Sequence, residues 1–242
     1  MKINTNSNVY IIIYSVVMVV IVAVLLTLAA LGLKDRQDVN ALNERKTQIV
    51  KALGENAEQV KYDDVVAEAM LLDENGACVE ADAQKVFEAL AKVKDTREAK
   101  KFPIFKAKDG SVVVPLYGAG LWGPIWGYIA LDKDMNTVKG IVLDHQGETP
   151  GLGAEIATPK HQAMYVGKSV FEGEELVGVT LKKGGAKDPK HEVDAITGGT
   201  KTSDGVSAMI KDCLESYKPY FKAVKAADEQ NTNDLNTENN GK

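Results

Sequence analysis

The stretch FPIFKAKDGSVVVPLYGAGLWGPIWGYIALDKDMNTVKGIVLDH, Phe102 to His145, decides the fold class. It divides into the runs FPIFKA, SVVVPLYG, GPIWGYIALD and TVKGIVLDH, each short and rich in Val, Ile, Tyr or Trp. Gly, Pro and Asp-Gly separate them, which is the punctuation of strands joined by tight turns. ELVGVTLKK, Glu175 to Lys183, is a further run of this kind. Strands so closely spaced, with only short helices between them, predict an α+β domain built on a twisted, largely antiparallel sheet with flanking helices.

The texture on either side is helical. Downstream, SDGVSAMIKDCLESYKPYF carries an apolar stripe of Val206, Met209, Ile210, Cys213, Leu214 and Tyr217, which predicts a closing helix beginning at about Ser203. Upstream, three stretches read as helices: DVNALNERKTQIVKAL, EQVKYDDVVAEAMLLDE and ADAQKVFEALAKV. Packing and spacing are the roles expected of them, with Gly54 ending the first. Farther upstream, VYIIIYSVVMVVIVAVLLTLAALGL, Val9 to Leu33, contains no charged residue. It is long enough to cross a hydrocarbon core of about 30 Å, and too long for the apolar part of a cleaved signal peptide. The expected organisation is an N-terminal tail and transmembrane helix at 1–34 and a helical linker or insert at 35–100. A soluble domain follows at 101–225, and a polar, disordered tail at 226–242.

Composition excludes several functions. The 242 residues carry a formal net charge of -5 and a pI of 5.4, with no basic stripe, so a nucleic-acid partner is not expected. Two cysteines, Cys78 and Cys213, are too few for an iron–sulfur cluster on this chain alone; two buried free thiols are expected instead. No G-x-G-x-x-G follows a strand, so a nicotinamide site is not expected either. His145 and Glu148 sit in a loop that Pro150 and Gly151 keep from being helical, which denies them helical ligand spacing; no metal site is expected.

Three stretches can carry chemistry. DAITGGTKTSDGV, Asp194 to Val206, gathers Thr197, Thr200, Thr202 and Ser203 round Gly198 and Gly199 at the start of the closing helix. Unpartnered N–H groups and the helix dipole favour an anion there, and the glycines let a ligand approach the backbone. A phosphate cradle, a site of covalent attachment and a plain helix cap all remain open on this ground. DHQGETPGLGAEI, Asp144 to Ile156, is a shaped loop whose segment Gly147 to Gly153 is expected to wall a planar ligand through Glu148, Thr149, Gly151 and Leu152, with positive φ at Gly151. YGAGLWGPIWGYIAL, Tyr117 to Leu131, supplies Trp122, Trp126 and Tyr128, either as ligand-lining aromatics or as core.

Together, ETPGLG and DAITGGTKTSDGV resemble the covalent FMN-binding domain of membrane redox complexes. The resemblance maps Asp194 onto that family's Asp, Thr197 and Gly198 onto the start of its core, Thr200 onto the next hydroxyl, and Thr202 onto the residue esterified to the FMN phosphate. Gly199 departs from the family's usual Ala. The single span and GLWGPIWG resemble the C component of sodium-translocating NADH:quinone reductases; the G component of the Rnf-type ferredoxin:NAD complex is the related alternative. The long insert before Phe102 favours the former. A flavin-free anchored scaffold, with Thr202 only a cap, is the alternative of a different class. The resemblance implies a chain that relays electrons through FMN, with no complete active site of its own, among polytopic partner subunits. It also implies a flavin transferase during maturation, and a single-pass protein of the bacterial inner membrane with its flavin domain on the extracytoplasmic side.

Overall fold

The computed structural model describes residues 7–227. The chain divides into two units, residues 1–45 and 46–242. Helix α1 runs from Asn8 to Ala52, and the apolar window in its first part has a mean hydropathy of 3.1 with none of it buried. Val9, Val19, Leu26 and Leu31 are each about two-thirds exposed. A helix apolar on every side and uncovered by protein suits a lipid surrounding: its side chains are favoured in hydrocarbon over water, and its own hydrogen bonds already satisfy its backbone there.

The second unit takes up the end of α1, where Ile49, Val50, Ala52 and Leu53 are buried. A one-turn helix α2 (Tyr62–Val65) follows, then strands β1 (Val66–Leu72) and β2 (Cys78–Glu80) and helices α3 (Ala83–Ala91) and α4 (Val93–Glu98). Strands β3 (Phe102–Ala107), β4 (Val112–Ala119), β5 (Pro124–Leu131) and β6 (Val138–His145) come next. They complete a six-stranded sheet of order β2-β1-β3-β4-β5-β6 in which every pairing is antiparallel. A short 3-10 turn (Gly153–Ala157), helix α5 (Pro159–Gln162) and a second 3-10 turn (Ala163–Tyr165) lead on. Two small pairings follow, β7 (Phe171–Glu172) with β8 (Glu175–Leu176), and β9 (Thr180–Lys182) with β10 (Glu192–Asp194), the latter parallel. Helix α6 (Thr200–Glu215) closes the core, and residues 218–227 are again helical.

Three sequence expectations need correction. EQVKYDDVVAEAMLLDE is not one helix: after α2 it becomes β1, which pairs along β3 from Val66↔Ala107 to Leu72↔Phe102. The Ala, Glu, Met and Leu of β1 favour helices, but pairing with a committed strand and burial of Ala69, Leu71 and Leu72 outweigh that preference. ELVGVTLKK is split between β8 and β9, which belong to different pairings, at Gly178 with its positive φ. Of the two thiols, Cys213 is buried in the core but Cys78 is exposed. The predicted disordered tail lies outside the described residues from residue 228 on, while 226 and 227 end the last helical stretch.

What positions the site is one end of the sheet. Ala119 pairs with Pro124 and Ile125 with His145, so the Gly120–Gly123 turn and the segment leaving β6 emerge together. Helix α6 reaches the same end because Gly205 lies against β4: a Cβ there would meet the Ala119 carbonyl oxygen at 2.3 Å. No other residue allows so close an approach of helix to strand.

Behind this end, His161 on α5 is buried, with Nε2 at 3.0 Å from the Tyr165 hydroxyl and no partner for Nδ1. Burial pushes its pKa down to about 4, so the ring is neutral in the fold. Unfolded, it titrates near 6.5. Between those values the unfolded chain binds the extra proton, so stability falls as pH drops from 6.5 towards 4. The expected loss is about 3 kcal/mol on this account. His161→Phe should be free of it, so the difference in unfolding free energy between the two chains should change by that amount between pH 7 and pH 4 in denaturant titrations.

Candidate functional site

Three segments converge: the Gly120–Gly123 turn, the loop 146–153, and the first turn of α6. The helix is entered through Gly198, whose φ is +74°, and Gly199, its N-cap, which has no side chain to cap it. The helix therefore starts at Thr200, three residues earlier than its apolar pattern indicates, and Thr202 lies in its first turn rather than at the cap. The N–H groups of Thr200, Lys201 and Thr202 have no helical acceptor and sum with the helix dipole, the arrangement that holds an anion.

Thr202 is only 1% exposed. Its hydroxyl donates to Glu148 Oε2 at 2.6 Å. Glu148 is itself buried, and its other oxygen, Oε1, accepts from the Trp122 N–H at 2.9 Å. Glu148 N–H donates to His145 Nδ1 at 3.2 Å, which pins the start of the loop to the end of β6. Burial alone would raise the Glu148 carboxyl. The hydrogen bonds from Thr202 and from the Trp122 and Leu121 N–H groups, with His145 nearby, hold it below its ordinary range. The carboxylate is thus ionised and acceptor-only. Glycines close round it: a Cβ on Gly153 would lie 2.2 Å from Oε2 and 2.5 Å from Thr202 Oγ1, and one on Gly120 would lie 2.4 Å from Oε1. Any side chain at either position would fill the space the pair occupies.

The remaining sequence-predicted residues take distinct places. Thr149, Gly151 and Leu152 are exposed along the loop, and Gly151 has the expected positive φ, +75°. Thr149 O accepts from the N–H groups of Leu152 and Ala154, which folds the loop into a tight turn. Trp122 is 68% exposed and Leu121 beside it 54%, so Trp122 is a surface residue at the rim, whereas Tyr128 is buried in the sheet. Thr197, Gly198 and Thr200 are exposed and Gly199 is buried. Ser203 is not open to a ligand: its hydroxyl donates to Gly199 O at 3.0 Å and accepts from the Ile196 N–H at 3.1 Å, so it ties the turn before the helix. Asp194 accepts from the Ala186 N–H at 2.8 Å and braces the loop between β9 and β10. The residue pattern fits a phosphate at the start of α6, and the exposed Trp122, Leu121 and Leu152 fit a flat apolar ring at the rim. The Thr202 hydroxyl itself is covered. The sequence points to Glu148 as part of the loop wall but carries no sign that it binds Thr202, since 54 residues separate the two and no local pattern links them.

Comparison with known proteins bears directly on this site. Residues 120–215 match the FMN-binding domain family, a span that opens at the Gly120 turn and closes at the end of α6. The C component of the Na(+)-translocating NADH-quinone reductase of Vibrio anguillarum is 34% identical over 208 residues, covering 76% of this chain and 81% of that protein. The component of the same name from Haemophilus ducreyi is 33% identical over 238 residues, covering 87% and 92%. Among solved structures, the corresponding component from Parabacteroides distasonis superposes with a TM-score of 0.68 at 39% identity, covering 78% of this chain and 96% of that one.

Proposed function

The chain belongs to the NqrC family, the C component of Na(+)-translocating NADH-quinone reductases, and on that premise we propose that it holds its FMN through a phosphoester on Thr202. As a member it is a single-pass inner-membrane protein that carries FMN within an oxidoreductase complex. The observation that carries the finer reading is the place of Thr202: a hydroxyl in the first turn of a helix whose cap has no side chain, beside a glycine-rich entry. A phosphodiester there keeps one negative charge, which the three free N–H groups of the first turn and the helix dipole stabilise. Thr197, Thr200 and the Gly198–Gly199 backbone border the phosphate, while Trp122, Leu152 and the turn Thr149–Gly151 border the ring.

FMN supplies the redox chemistry, and the protein supplies position and electrostatics. Covalent attachment keeps the cofactor from leaving a site whose rim is open. This chain then relays electrons between partner subunits. Among the described residues α1 is the one helix long and apolar enough to span a membrane, and a lone helix encloses no ion path, so sodium movement falls to polytopic partners. Attachment requires an activated donor, because an unactivated threonine hydroxyl is a weak nucleophile; FAD and a flavin transferase provide it. The domain faces the extracytoplasmic side on this reading. The direct test is the absorption spectrum of protein denatured and washed free of small molecules. A flavin spectrum should persist and map by peptide mass to the segment holding Thr202; a colourless protein would overturn covalent attachment.

A further inference from the structure

We propose that Glu148 is the general base for attachment of FMN to this chain, so that the acceptor protein carries part of the machinery that modifies it. The proposal rests on the reading that Thr202 is the attachment residue. Its geometry is the 2.6 Å bond from Thr202 Oγ1 to Glu148 Oε2, within the reach a base needs of the proton it removes. The carboxylate is fixed beforehand: the Trp122 N–H holds Oε1, the His145 ring holds the loop backbone, and Gly120 and Gly153 close on its two oxygens with no room for a side chain. Three donors, the Thr202 hydroxyl and the Trp122 and Leu121 N–H groups, keep this buried carboxylate ionised, the form a base needs.

The step balances. Thr202 Oγ1 attacks the flavin-side phosphorus of the pyrophosphate in FAD. The bond from that phosphorus to the bridging oxygen breaks, AMP leaves with the electron pair, and the Oγ1 proton passes to Glu148 Oε2. Nothing is oxidised or reduced. A carboxylate can fill this role, as the catalytic Asp of protein kinases accepts the proton of the substrate hydroxyl. Gly153 covers Oγ1, so the turn Thr149–Gly153 must lift for the donor to enter, while the bond to Trp122 lets Glu148 keep hold of the hydroxyl.

The experiment is single-turnover modification of the full-length chain in detergent, with FAD and a purified FAD-dependent flavin transferase, followed by peptide mass and by AMP release. Glu148→Gln preserves an oxygen acceptor for Thr202 but cannot take a proton. Its rate at saturating acceptor should fall about 100-fold or more, with little change in the acceptor concentration giving half the maximal rate. Glu148→Asp should recover part of the rate. Circular dichroism of each variant guards against misfolding, and Glu148→Asp supplies the measurement if Glu148→Gln does not fold. A folded Glu148→Gln chain modified on Thr202 at the wild-type rate overturns the proposal and leaves Thr202 as the attachment residue. A wild-type chain unmodified on Thr202 removes the reading beneath it, and the proposal with it.

Discussion

Thr202→Ala should yield a folded protein with no covalent flavin. The loss should be complete, since among the described residues no other hydroxyl occupies the same place: Thr200 is exposed at the first helical position and Ser203 is turned back onto the Gly199 and Ile196 backbone. The cost in stability differs from that of losing a helix cap, because Gly199 is the cap. What is lost is a buried hydrogen bond to a carboxylate, worth about 1.5–3 kcal/mol, and Glu148 keeps only its backbone donors. Thr202→Ser should retain attachment, and Thr200→Ala should retain it almost in full. Peptide mass spectrometry of the three variants distinguishes the hydroxyls. Flavin still bonded in Thr202→Ala, or found on Thr200 in the wild type, would show that the phosphoester lies elsewhere.

How far the sequence could be read depends on whether each signal is local. Strands β3 to β6 are legible because each is a short β-branched or aromatic run closed by Gly, Pro or Asp-Gly, so propensity and turn chemistry agree. The span is legible because 25 or so uncharged residues have few soluble fates. β1 is not, because VAEAMLL has the composition of a helix and becomes a strand only through its partner β3. The start of α6 is misplaced by three residues for a related reason: Gly198, Gly199 and polar residues through Asp204 hide the first turn, and only the backbone shows that Gly199 is the cap. At the site, the glycines and hydroxyls that mark a ligand are visible in the sequence. The partnership of Thr202 with Glu148 is not, because it depends on β5–β6 pairing and on Gly205 lying against Ala119.

The other large effect is topological. A reporter that works only outside the cytoplasm, fused after Lys225, should be active, and one that works only in the cytoplasm should be silent. The apolar part of α1 is about 37 Å long at 1.5 Å per residue, enough for one crossing with tilt, so the segments flanking it lie on opposite sides. Basic residues alone favour a cytoplasmic domain, with Lys34, Arg36, Arg45 and Lys46 after the span against Lys2 and the α-amine before it. Lys46 weighs little in the folded domain: it lies 3.9 Å from Asp63 and 5.0 Å from the centre of the Tyr62 ring, both on the domain itself. The bias then comes down to Lys34, Arg36 and Arg45, the first two of which abut the span, and against it stands the extracytoplasmic flavin domain that the family resemblance implies. If that bias opposes the native orientation, Lys34→Gln with Arg36→Gln should leave the outside reporter at least as active. Adding two lysines beside Lys2 should do the same, since it holds the N-terminus inside. Activity of the cytoplasmic reporter in the wild-type chain, or a switch to the outside only in the double variant, would put the domain in the cytoplasm and would require FMN to be attached there.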